Sequence, residues 1–469
     1  MNGTLTISAA GLFAGLLLLL GLWELVARRS HNRRWLDELS EAKRIGTDKP
    51  LSQHPHINPH RCIGCACCAR VCPEEVLAVV EGTARLIHAS QCVGHAYCEQ
   101  VCPVGAVVVS LGDIRSRPDV PILNEDLESS MPGVFIVGEL GGMALVRHGI
   151  NQGTRAVDEI TRRLQSTPSS HESTDLMDIL IVGCGPAGIA ATLRARQLGL
   201  RCITIDREGL GGAVRKYPHN KLTVTQPVDL PLHGRLRRRK YRKQELLGLW
   251  EGLFDRLGIT VRREVWLHVR PLPNGTLESA TSKEKIISRY VVLALGRRST
   301  PRRLGVPGEE HPHVFYHLDD PAAYTNQPLL VVGGGNGAAE AAIALTHGSG
   351  NRVALSYRRP EFFRMRRQNL KSVEHLRRQG RLDVILNSAI KRIEPDHVVL
   401  AVQQDGTEIE KRLPAAAVFI LIGGDPPFEL LRRIGIRFGG SSASVREPCL
   451  SWQPAKAGSQ TSPMERRGF

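Results

Sequence analysis

The stretch DILIVGCGPAG, residues 178–188, places an apolar strand directly before a G-x-G-x-x-G turn. A helical run, IAATLRARQLGL, follows the turn, and the next strand ends on Asp206. Glycines in such a turn let the backbone approach a pyrophosphate at a helix N-terminus, and an acid about twenty residues further on can reach a ribose hydroxyl. The pattern therefore predicts a dinucleotide-binding βαβ unit. Its predicted cofactor-binding residues are Gly183, Gly185, Pro186, Ala187, Gly188 and Asp206.

A second unit of this kind begins with LLVVGGGNGAAE, residues 329–340. Its next strand, VALSY, ends on arginines instead of an acid, which suits the 2′-phosphate of NADPH better than the free hydroxyl of NADH. The alternative is a solvated basic face, which we expect for Arg366 and Arg367 more than for the arginines before them. The predicted nucleotide-binding residues are Gly333, Gly335, Asn336, Ala338, Arg358, Arg359 and Arg364.

Cysteines are concentrated in one short segment, residues 62–102. The segment CIGCACCARVCP, residues 62–73, has the spacing C-x2-C-x2-C-x3-C-P, and CVGHAYCEQVCP, residues 92–103, repeats it with His95 in place of the second cysteine. In bacterial two-cluster proteins, three closely spaced thiolates hold one cluster and the fourth cysteine ligates the other. Two copies at this spacing predict two iron–sulfur clusters of the 4Fe-4S type rather than a zinc site.

Residues 59–112 resemble the bacterial-type ferredoxins. The resemblance implies a ligand set for cluster one of Cys62, Cys65, Cys68 and Cys102, and for cluster two of Cys72, Cys92 and Cys98 with His95 at the remaining corner. His95 either ligates the fourth iron, which would raise the reduction potential, or stands beside a three-iron cluster. Iron counting with paramagnetic resonance distinguishes the two. Cys67 falls outside the pattern, and we expect it to be a small buried residue.

Residues 178–438 resemble the thioredoxin-reductase-like pyridine nucleotide–flavin oxidoreductases. The resemblance implies FAD in the first βαβ unit and NADPH in the second. Residues 210–212, LGG, together with Tyr217 and Pro218 look like the flavin-adjacent glycine loop, which adds Gly211 and Gly212 to the predicted FAD contacts. Residues 291–296 and 304–309 resemble the crossover into the NADPH domain, and residues 418–423 resemble the crossover back.

The last FAD-contacting motif of that family is missing after the second crossover, where only a Ser/Gly/Pro-containing tail, residues 439–469, follows. The segment MPGVFIVGE, residues 131–139, has the expected form instead, and a helix-like run over residues 144–164 comes after it. We therefore hypothesise a permuted FAD domain with Gly138 and Glu139 as flavin-domain contacts. Glu139 stands where the family has aspartate, so its carboxylate lies one methylene further out.

The N-terminal run LTISAAGLFAGLLLLLGLW, residues 5–23, has no charged side chain and is near the minimum length of a membrane span. No positive charge precedes it and arginines follow it, which disfavours a cleaved signal peptide and places the following chain in the cytoplasm. A buried core helix is disfavoured because nothing polar interrupts the run. We expect a single-pass membrane anchor with cytoplasmic catalytic domains.

These motifs predict an α/β protein with two Rossmann-like domains, preceded by a ferredoxin-like α+β iron–sulfur domain and one transmembrane helix. The N-terminal boundaries are 1–28 for the anchor, 29–58 for a juxtamembrane linker, 59–112 for the ferredoxin-like domain, 113–165 for the permuted FAD-domain return segment and 166–175 for a linker. The later boundaries are 176–310 for the FAD-binding domain, 311–425 for the NAD(P)H-binding domain, 426–438 for a FAD-domain return and 439–469 for a disordered tail.

Composition limits the possible partners. Hydrophobic residues at 42% and charged residues at 23% exclude wholesale disorder, and 11 cysteines in 469 residues are too few for a disulfide scaffold. The net charge is +16, and the densest basic run is RLRRRKYRK, residues 235–243. Anionic lipid explains this charge best and an acidic electron-transfer protein next, whereas no recognisable module supports nucleic acid. A homodimer is compatible with the sequence.

The chemistry follows from the combination of cofactors. NADPH donates hydride pairs, clusters pass single electrons, and a flavin handles both. We therefore expect a membrane-anchored oxidoreductase that passes electrons between NADPH, FAD and the clusters to a one-electron or quinone-type acceptor, without a catalytic acid–base residue. The alternatives are an FAD-dependent reductase of a small substrate and a non-enzymatic redox sensor. Residues 329–423 contain no cysteine, so the redox C-x-x-C of thioredoxin reductases has no counterpart there.

Overall fold

The structure, a computed structural model, describes residues 9–50, 53–92, 94–111, 117–142, 145–166, 175–217, 222–224, 227–238, 240–297, 300–347, 350–404 and 406–440. The chain divides into two compact units. Unit 1 is drawn from Met1–Gly112 and Arg302–Gly423, and unit 2 from Asp113–Pro301 and Gly424–Phe469. The predicted linker 166–175 and tail 439–469 lie almost wholly outside the described residues.

Helix α1, Ala9–Ile45, opens unit 1 and continues well beyond the apolar N-terminal run. Trp35 and Leu39 pack against Ala78, Val80 and Ile87. Because Trp35 and Leu39 are four residues apart, they share one face of the helix and cover the same apolar patch. The expectation of a juxtamembrane linker over residues 29–58 is therefore wrong, since most of this segment is a packed helix or a strand.

The structure does not support the expected membrane anchor. Among the described residues, no helix has both the length and the hydropathy that a membrane crossing requires. The charged residue Glu24 ends the apolar N-terminal run.

The module of unit 1 predicted to be ferredoxin-like, residues 54–110 and called the ferredoxin-like module below, contains two antiparallel strand pairs and two short helices. The pairs are β1 (His54–Ile57) with β4 (Val107–Ser110) and β2 (Leu77–Val80) with β3 (Thr83–Leu86). The helices are α2 (Cys67–Val71) and α3 (Tyr97–Gln100). Each helix follows an alanine in the left-handed region, Ala66 with φ 59° and Ala96 with φ 61°. The module begins at β1 and not at residue 59, because β1 completes the pair with β4.

Unit 2 is built on a seven-stranded sheet. Its strands are β5 (Val134–Ile136), β6 (Met177–Val182), β7 (Cys202–Asp206), β12 (Val261–Arg263), β13 (Trp266–Pro271), β14 (Leu277–Thr281) and β15 (Lys285–Leu293). The order is β12-β7-β6-β15-β14-β13, and β5 pairs in parallel with the carboxyl end of β15. The strand β14 pairs with the other end of β15, antiparallel to it. The segment upstream of the first βαβ unit is therefore part of the same sheet as β6.

Four helices and three short strand pairs complete the described part of unit 2. The helices are α4 (Val146–Ser166), α5 (Pro186–Gln197) and α6 (Lys243–Arg256), and α9 (Phe428–Arg433) follows near the end. The short pairs are β8 (Leu222–Val224) with β11 (Lys240–Arg242), β9 (Val228–Leu230) with β10 (Gly234–Leu236), and β16 (Thr300–Pro301) with β25 (Gly424–Asp425). One core cluster joins Phe135 of β5 and Ile160 of α4 to Ile179 of β6.

The second nucleotide fold belongs to unit 1 and is a five-stranded parallel sheet. Its order is β17 (Val314–Phe315), β24 (Ala417–Ile420), β18 (Pro328–Val332), β19 (Arg352–Ser356) and β20 (Leu382–Ile385). Helices α7 (Asn336–Thr346) and α8 (Arg367–Arg378) pack on it, and an antiparallel sheet of β21 (Ser388–Ile393), β22 (His397–Gln404) and β23 (Thr407–Pro414) lies beyond it. The predicted α/β class with Rossmann-like domains is confirmed.

Close packing of α4 on α5 leads to a test. A Cβ at Gly153 would lie 2.1 Å from the carbonyl oxygen of Ala187, so Gly153→Ala forces the two helices apart. We expect it to lower the free energy of unfolding of unit 2 by about 1–3 kcal/mol, the usual effect of overpacking. Urea unfolding followed by circular dichroism measures the change.

The matched control is Gly252→Ala in α6. A Cβ at Gly252 would meet no heavy atom within 4 Å. The replacement should therefore raise the free energy of unfolding by up to about 1 kcal/mol, because alanine favours helix over glycine. Equal effects of the two substitutions would contradict the packing explanation.

Candidate redox site

The first candidate cluster site is a cavity of about 300 Å³ in the ferredoxin-like module. All four cysteines predicted for cluster one line it: Cys62, Cys65, Cys68 and Cys102. The backbone N–H of Ala84 donates to Sγ of Cys62 at 3.3 Å, and that of Ala106 donates to Sγ of Cys102 at 3.2 Å. Hydrogen bonds to the sulfurs are one of the means by which a protein sets the reduction potential of a cluster.

Burial and backbone dipoles act in opposite directions on these thiols. Burial raises the pKa of Cys68 above its ordinary value. Burial also acts to raise the pKa of Cys102, but the backbone N–H groups of Val104, Ala106, Val107 and Gly105 outweigh it and lower that pKa. Because the thiolate is the metal ligand, these N–H groups favour the form of Cys102 that can bind iron.

The second candidate cluster site is a cavity of about 330 Å³. Its lining includes the four residues predicted for cluster two, Cys72, Cys92, His95 and Cys98, and also Glu74. Burial raises the pKa of Cys92 to about 11 and of Cys98 to about 12. A cationic metal centre offsets this cost, because metal ligation deprotonates a thiol. The His95 ring stacks on Tyr97 with centroids 5.5 Å apart.

The arrangement of the predicted ligands is compatible with cluster sites. Within the part of the chain that the structure describes, no three His, Cys, Asp or Glu side chains form a group that could hold one metal ion. The four ligands of a 4Fe-4S cluster bind separate irons around a central volume, so they are expected to surround a cavity. Each predicted ligand set surrounds one.

Cys67 differs from the expectation of a buried residue. It is half-buried and lies on the lining of the first cavity, and its Sγ accepts from the guanidinium of Arg70 at 3.4 Å. It comes directly before Cys68 at the start of α2, so both thiols are near the same cavity.

The glycine turn of unit 2 has the close approaches that a pyrophosphate site requires. Gly183 has φ +101°, and a Cβ there would lie 2.5 Å from the carbonyl oxygen of Ala294. A Cβ at Gly188 would lie 1.8 Å from the carbonyl oxygen of Gly183. Gly212, in the predicted flavin-adjacent loop, approaches the Cα of Gly185 so closely that a Cβ would lie 2.8 Å from it. Because these positions are glycines, no side chain covers the backbone of the turn at the N-terminus of α5, where a pyrophosphate would bind.

Asp206 has a role that the sequence did not reveal. Its Oδ2 accepts from the backbone N–H of Cys184 at 2.7 Å, and its Oδ1 accepts from Glu208 at 2.7 Å and Gly209 at 2.9 Å. The carboxylate thus holds the glycine turn in place. A carboxylate has about four acceptor positions, so these bonds are compatible with a further one to a ribose hydroxyl.

The upstream motif, residues 131–139, lies against the glycine turn of unit 2. The backbone N–H of Gly138 donates to Oε1 of Gln152 at 2.8 Å. A Cβ at Gly138 would lie 3.1 Å from Cβ of Ala187, at the start of α5. Glu139 follows and is half-buried. The structure therefore brings together two predicted FAD motifs that are about fifty residues apart in the chain.

The glycine turn of unit 1 is also closely packed. Gly333 has φ +145°, and a Cβ there would lie 2.5 Å from the carbonyl oxygen of Leu421. Gly334 lies against the Tyr357 ring, where a Cβ would be 2.2 Å from a ring carbon. Oδ1 of Asn336 accepts from the backbone N–H of Arg366 at 2.8 Å. This bond ties the start of α8 to the phosphate turn.

Two groups of arginines after β19 have different surroundings. Among the described residues, no carboxylate lies within ion-pair distance of Arg358, Arg359 or Arg364. The guanidinium carbons of Arg359 and Arg364 lie 4.4 and 5.2 Å from the centroid of the Phe363 ring. Arg366 and Arg367 instead form ion pairs with acids of α1 and the ferredoxin-like module. The expectation that Arg366 and Arg367 form a solvated basic face is therefore wrong.

Neither cysteine of the first βαβ unit is a candidate redox thiol. Cys184 is fully buried in the glycine turn, and burial raises its pKa well above the ordinary value. Burial also raises the pKa of Cys202. Every cysteine in the described part of the chain is free of disulfide bonds. Cys449 lies outside the described residues.

The neighbouring residues Cys67 and Cys68 allow a matched test of the ligand set. We expect Cys68→Ala to abolish the first cluster, because it removes one of four thiolate ligands. Cys67→Ala should retain both clusters. Iron and sulfide analysis with paramagnetic resonance measures the effect, and loss of the first cluster in Cys67→Ala would contradict the assignment.

Comparisons with known proteins agree with this geometry. Residues 180–445 match the pyridine nucleotide-disulphide oxidoreductase family, and residues 54–103 match the 4Fe-4S dicluster domain. Over 281 residues, the chain is 28% identical to a ferredoxin–NADP reductase from Ignicoccus hospitalis, covering 58% of this chain and 85% of that protein. It is 26% identical to bacilliredoxin reductase Bdr from Bacillus subtilis, covering 55% of this chain and 80% of that protein.

A third relative is a thioredoxin reductase from Mycolicibacterium smegmatis, which is 30% identical and covers 55% of this chain and 79% of that protein. The first family match spans more than half of the chain, and it contains both glycine turns described above. The chain therefore belongs to the pyridine nucleotide-disulphide oxidoreductase family and is an FAD-dependent NAD(P)H oxidoreductase with a 4Fe-4S dicluster domain.

Proposed function

We propose that this protein is an NADPH-dependent flavo-iron–sulfur oxidoreductase that passes electrons between NADPH, FAD and two clusters, and exchanges them with a one-electron carrier protein. The observation that carries the proposal is the composition of unit 1. There the nucleotide fold and the cluster-bearing module form one compact unit, joined by ion pairs from Arg366 and Arg367 to Glu74, Glu75 and Glu38. FAD would supply the conversion between a hydride pair and single electrons.

The names of the relatives support both ends of this electron path. A ferredoxin–NADP reductase connects NADP(H) with an iron–sulfur carrier, and here an iron–sulfur module is part of the chain itself. The exposed basic side chains of Arg235, Arg237 and Arg238 on the β10–β11 segment suit an acidic carrier protein. Complementary charge of this kind accelerates the encounter of electron-transfer partners.

Disulfide reduction fits less well, although two relatives are named for it. Residues 329–423 contain no cysteine. The buried thiol of Cys184, with its raised pKa, is a poor nucleophile because the thiolate is the reactive form. A one-electron carrier is therefore the better acceptor class.

We assign cluster one to Cys62, Cys65, Cys68 and Cys102, and cluster two to Cys72, Cys92 and Cys98 with His95 at the fourth corner. The two cavities support these sets, since each is lined by one of them. The N–H groups that donate to cysteine Sγ would stabilise the thiolates and so help to set the potential of cluster one.

We further propose that the FAD domain is permuted. Support comes from β5, which pairs in parallel with β15 inside the sheet that carries the FAD turn, and from Gly138, which packs against Ala187 at the start of α5. In this arrangement Gly183, Gly185 and Gly188 bind the pyrophosphate, Asp206 orients the turn, and Gly138 and Glu139 complete the site. Because Gly153 packs α4 on this turn, the Gly153→Ala variant should lose FAD together with stability.

We propose NADPH as the nucleotide of unit 1. Arg358, Arg359 and Arg364 support this choice, because three cations without a carboxylate partner among the described residues lie just after β19. That position is where the family places the 2′-phosphate contacts. The turn at Gly333, Gly335, Asn336 and Ala338 would bind the pyrophosphate.

Turnover tests the electron path. The purified protein should oxidise NADPH rapidly with an artificial one-electron acceptor. Cys62→Ala should abolish or strongly reduce this activity, because it removes a ligand of cluster one, whereas Cys67→Ala should retain it. Full activity in Cys62→Ala would contradict passage through the clusters, and a wild-type protein with bound FAD but no NADPH turnover would favour a redox sensor.

Nucleotide choice tests the arginine site. We expect Arg359→Gln to raise the KM for NADPH about tenfold or more, because a charge-assisted hydrogen bond contributes roughly 1.5–3 kcal/mol. The KM for NADH should not change. The control is Arg378→Gln, whose side chain is 77% exposed and pairs with Glu374 on the same helix. An equal rise for both nucleotides would show that Arg359 does not contact the 2′-phosphate.

A further inference from the structure

Arg366 connects two features of unit 1 that the sequence does not relate. Its backbone N–H donates to Oδ1 of Asn336 in the phosphate turn at 2.8 Å, and Nδ2 of Asn369 donates to the same oxygen at 3.1 Å. Its guanidinium Nε lies 3.3 Å from Oε2 of Glu74. One residue thus contacts the nucleotide turn with its backbone and the cluster-bearing module with its side chain.

Glu74 lies beside the proposed ligands of the second cluster. It follows Cys72 and Pro73, lines the second cavity together with Cys92 and Cys98, and its side chain is only 13% exposed. Its charge interacts with the thiol of Cys92. Water screens a charge in this position weakly, so the charge of Glu74, and its offset by the nearby guanidinium of Arg366, affects the cavity.

The adjacent residue, Arg367, stabilises the contact between Arg366 and Glu74. Arg367 lies with one amino group 3.3 Å from Oε2 of Glu38 on α1 and with the other 3.4 Å from Oε2 of Glu75. Its side chain is 31% exposed. Two successive arginines at the start of α8 therefore bind acids of α1 and of the module, which keeps Arg366 beside Glu74.

We propose that Arg366 couples nucleotide binding in unit 1 to the redox state of the second cluster. The coupling rests on the proposed function, which assigns the second cluster and the NADPH site. An electron added to the cluster places more negative charge beside Glu74 and offsets more of the positive charge of Arg366, the residue whose backbone N–H contacts the phosphate turn. The positive field at the phosphate turn then weakens, and so does nucleotide binding. Linkage requires the reverse effect to be equal: bound nucleotide makes the cluster harder to reduce.

The experiment measures binding of 2′,5′-ADP to the whole protein, because this ligand carries the 2′-phosphate but has no nicotinamide. Calorimetry is carried out on the oxidised protein and on protein reduced anaerobically with dithionite. We expect the reduced protein to bind about five- to tenfold more weakly, within the usual range of coupling between sites. A tenfold change corresponds to a fall of about 59 mV in the midpoint potential of the one-electron cluster couple when 2′,5′-ADP is present.

Variants identify the residue responsible. Arg366→Gln and, independently, Glu74→Gln should each reduce the affinity difference to less than about twofold while iron content is unchanged. Arg378→Gln, at the exposed end of α8, should keep the full difference. Potentiometry followed by paramagnetic resonance adds an internal control, since Glu74 lines only the second cavity of the two and the first cluster should shift less.

The outcomes separate this proposal from the proposed function. Equal affinity in both redox states of the wild-type protein, or an undiminished difference in both Arg366→Gln and Glu74→Gln, overturns the coupling. The measurement does not require turnover, so a protein that fails to pass electrons to an acceptor still gives a result. No binding of 2′,5′-ADP in either state overturns the NADPH site itself and the coupling with it.

Discussion

The exchange of one cysteine between two short repeats is the constraint on which unit 1 depends. Cys102 of the second repeat lines the first cavity, and Cys72 of the first repeat lines the second. Each proposed cluster site therefore needs cysteines of both repeats. The exchange also sets the position of the residues that follow Cys72, so Glu74 lies at the second cavity and within reach of Arg366. The proposed cluster ligand Cys72 and the contact of Glu74 with the nucleotide fold thus lie in one short segment.

Close packing of the backbone constrains the two nucleotide turns. At Gly183 and Gly333 a side chain would collide with a carbonyl oxygen of the neighbouring crossover strand. Hydrogen bonds also support both turns. Asp206 accepts from the backbone N–H of Cys184 in the first turn, and Asn336 in the second turn accepts from the backbone N–H of Arg366. Each phosphate turn is therefore held in shape by a hydrogen bond to a residue outside the turn.

Local sequence patterns predicted the features that are built from neighbouring residues. They did not predict the features that depend on contacts between distant residues. The glycine turns, the α/β class and the iron–sulfur module followed from spacing alone. The N-terminal segment was misjudged, because the part of α1 after the apolar run packs Trp35 and Leu39 on the module, and a single helix shows no partner in its own sequence. Arg366 and Arg367 were misjudged for the same reason, since their acids lie about three hundred residues away.

The sequence by itself indicated an FAD- and NAD(P)-binding fold and a 4Fe-4S dicluster domain, because thiolate spacing and glycine turns are local patterns. It also indicated, through residues 131–139, that a piece of the FAD domain precedes the rest. Only the tertiary structure decided that β5 pairs with β15, that Asp206 holds the phosphate turn, and that Glu74 meets Arg366. These contacts join residues that are far apart in the sequence. Burial and charge pairing bring such residues together, and local spacing does not reveal them.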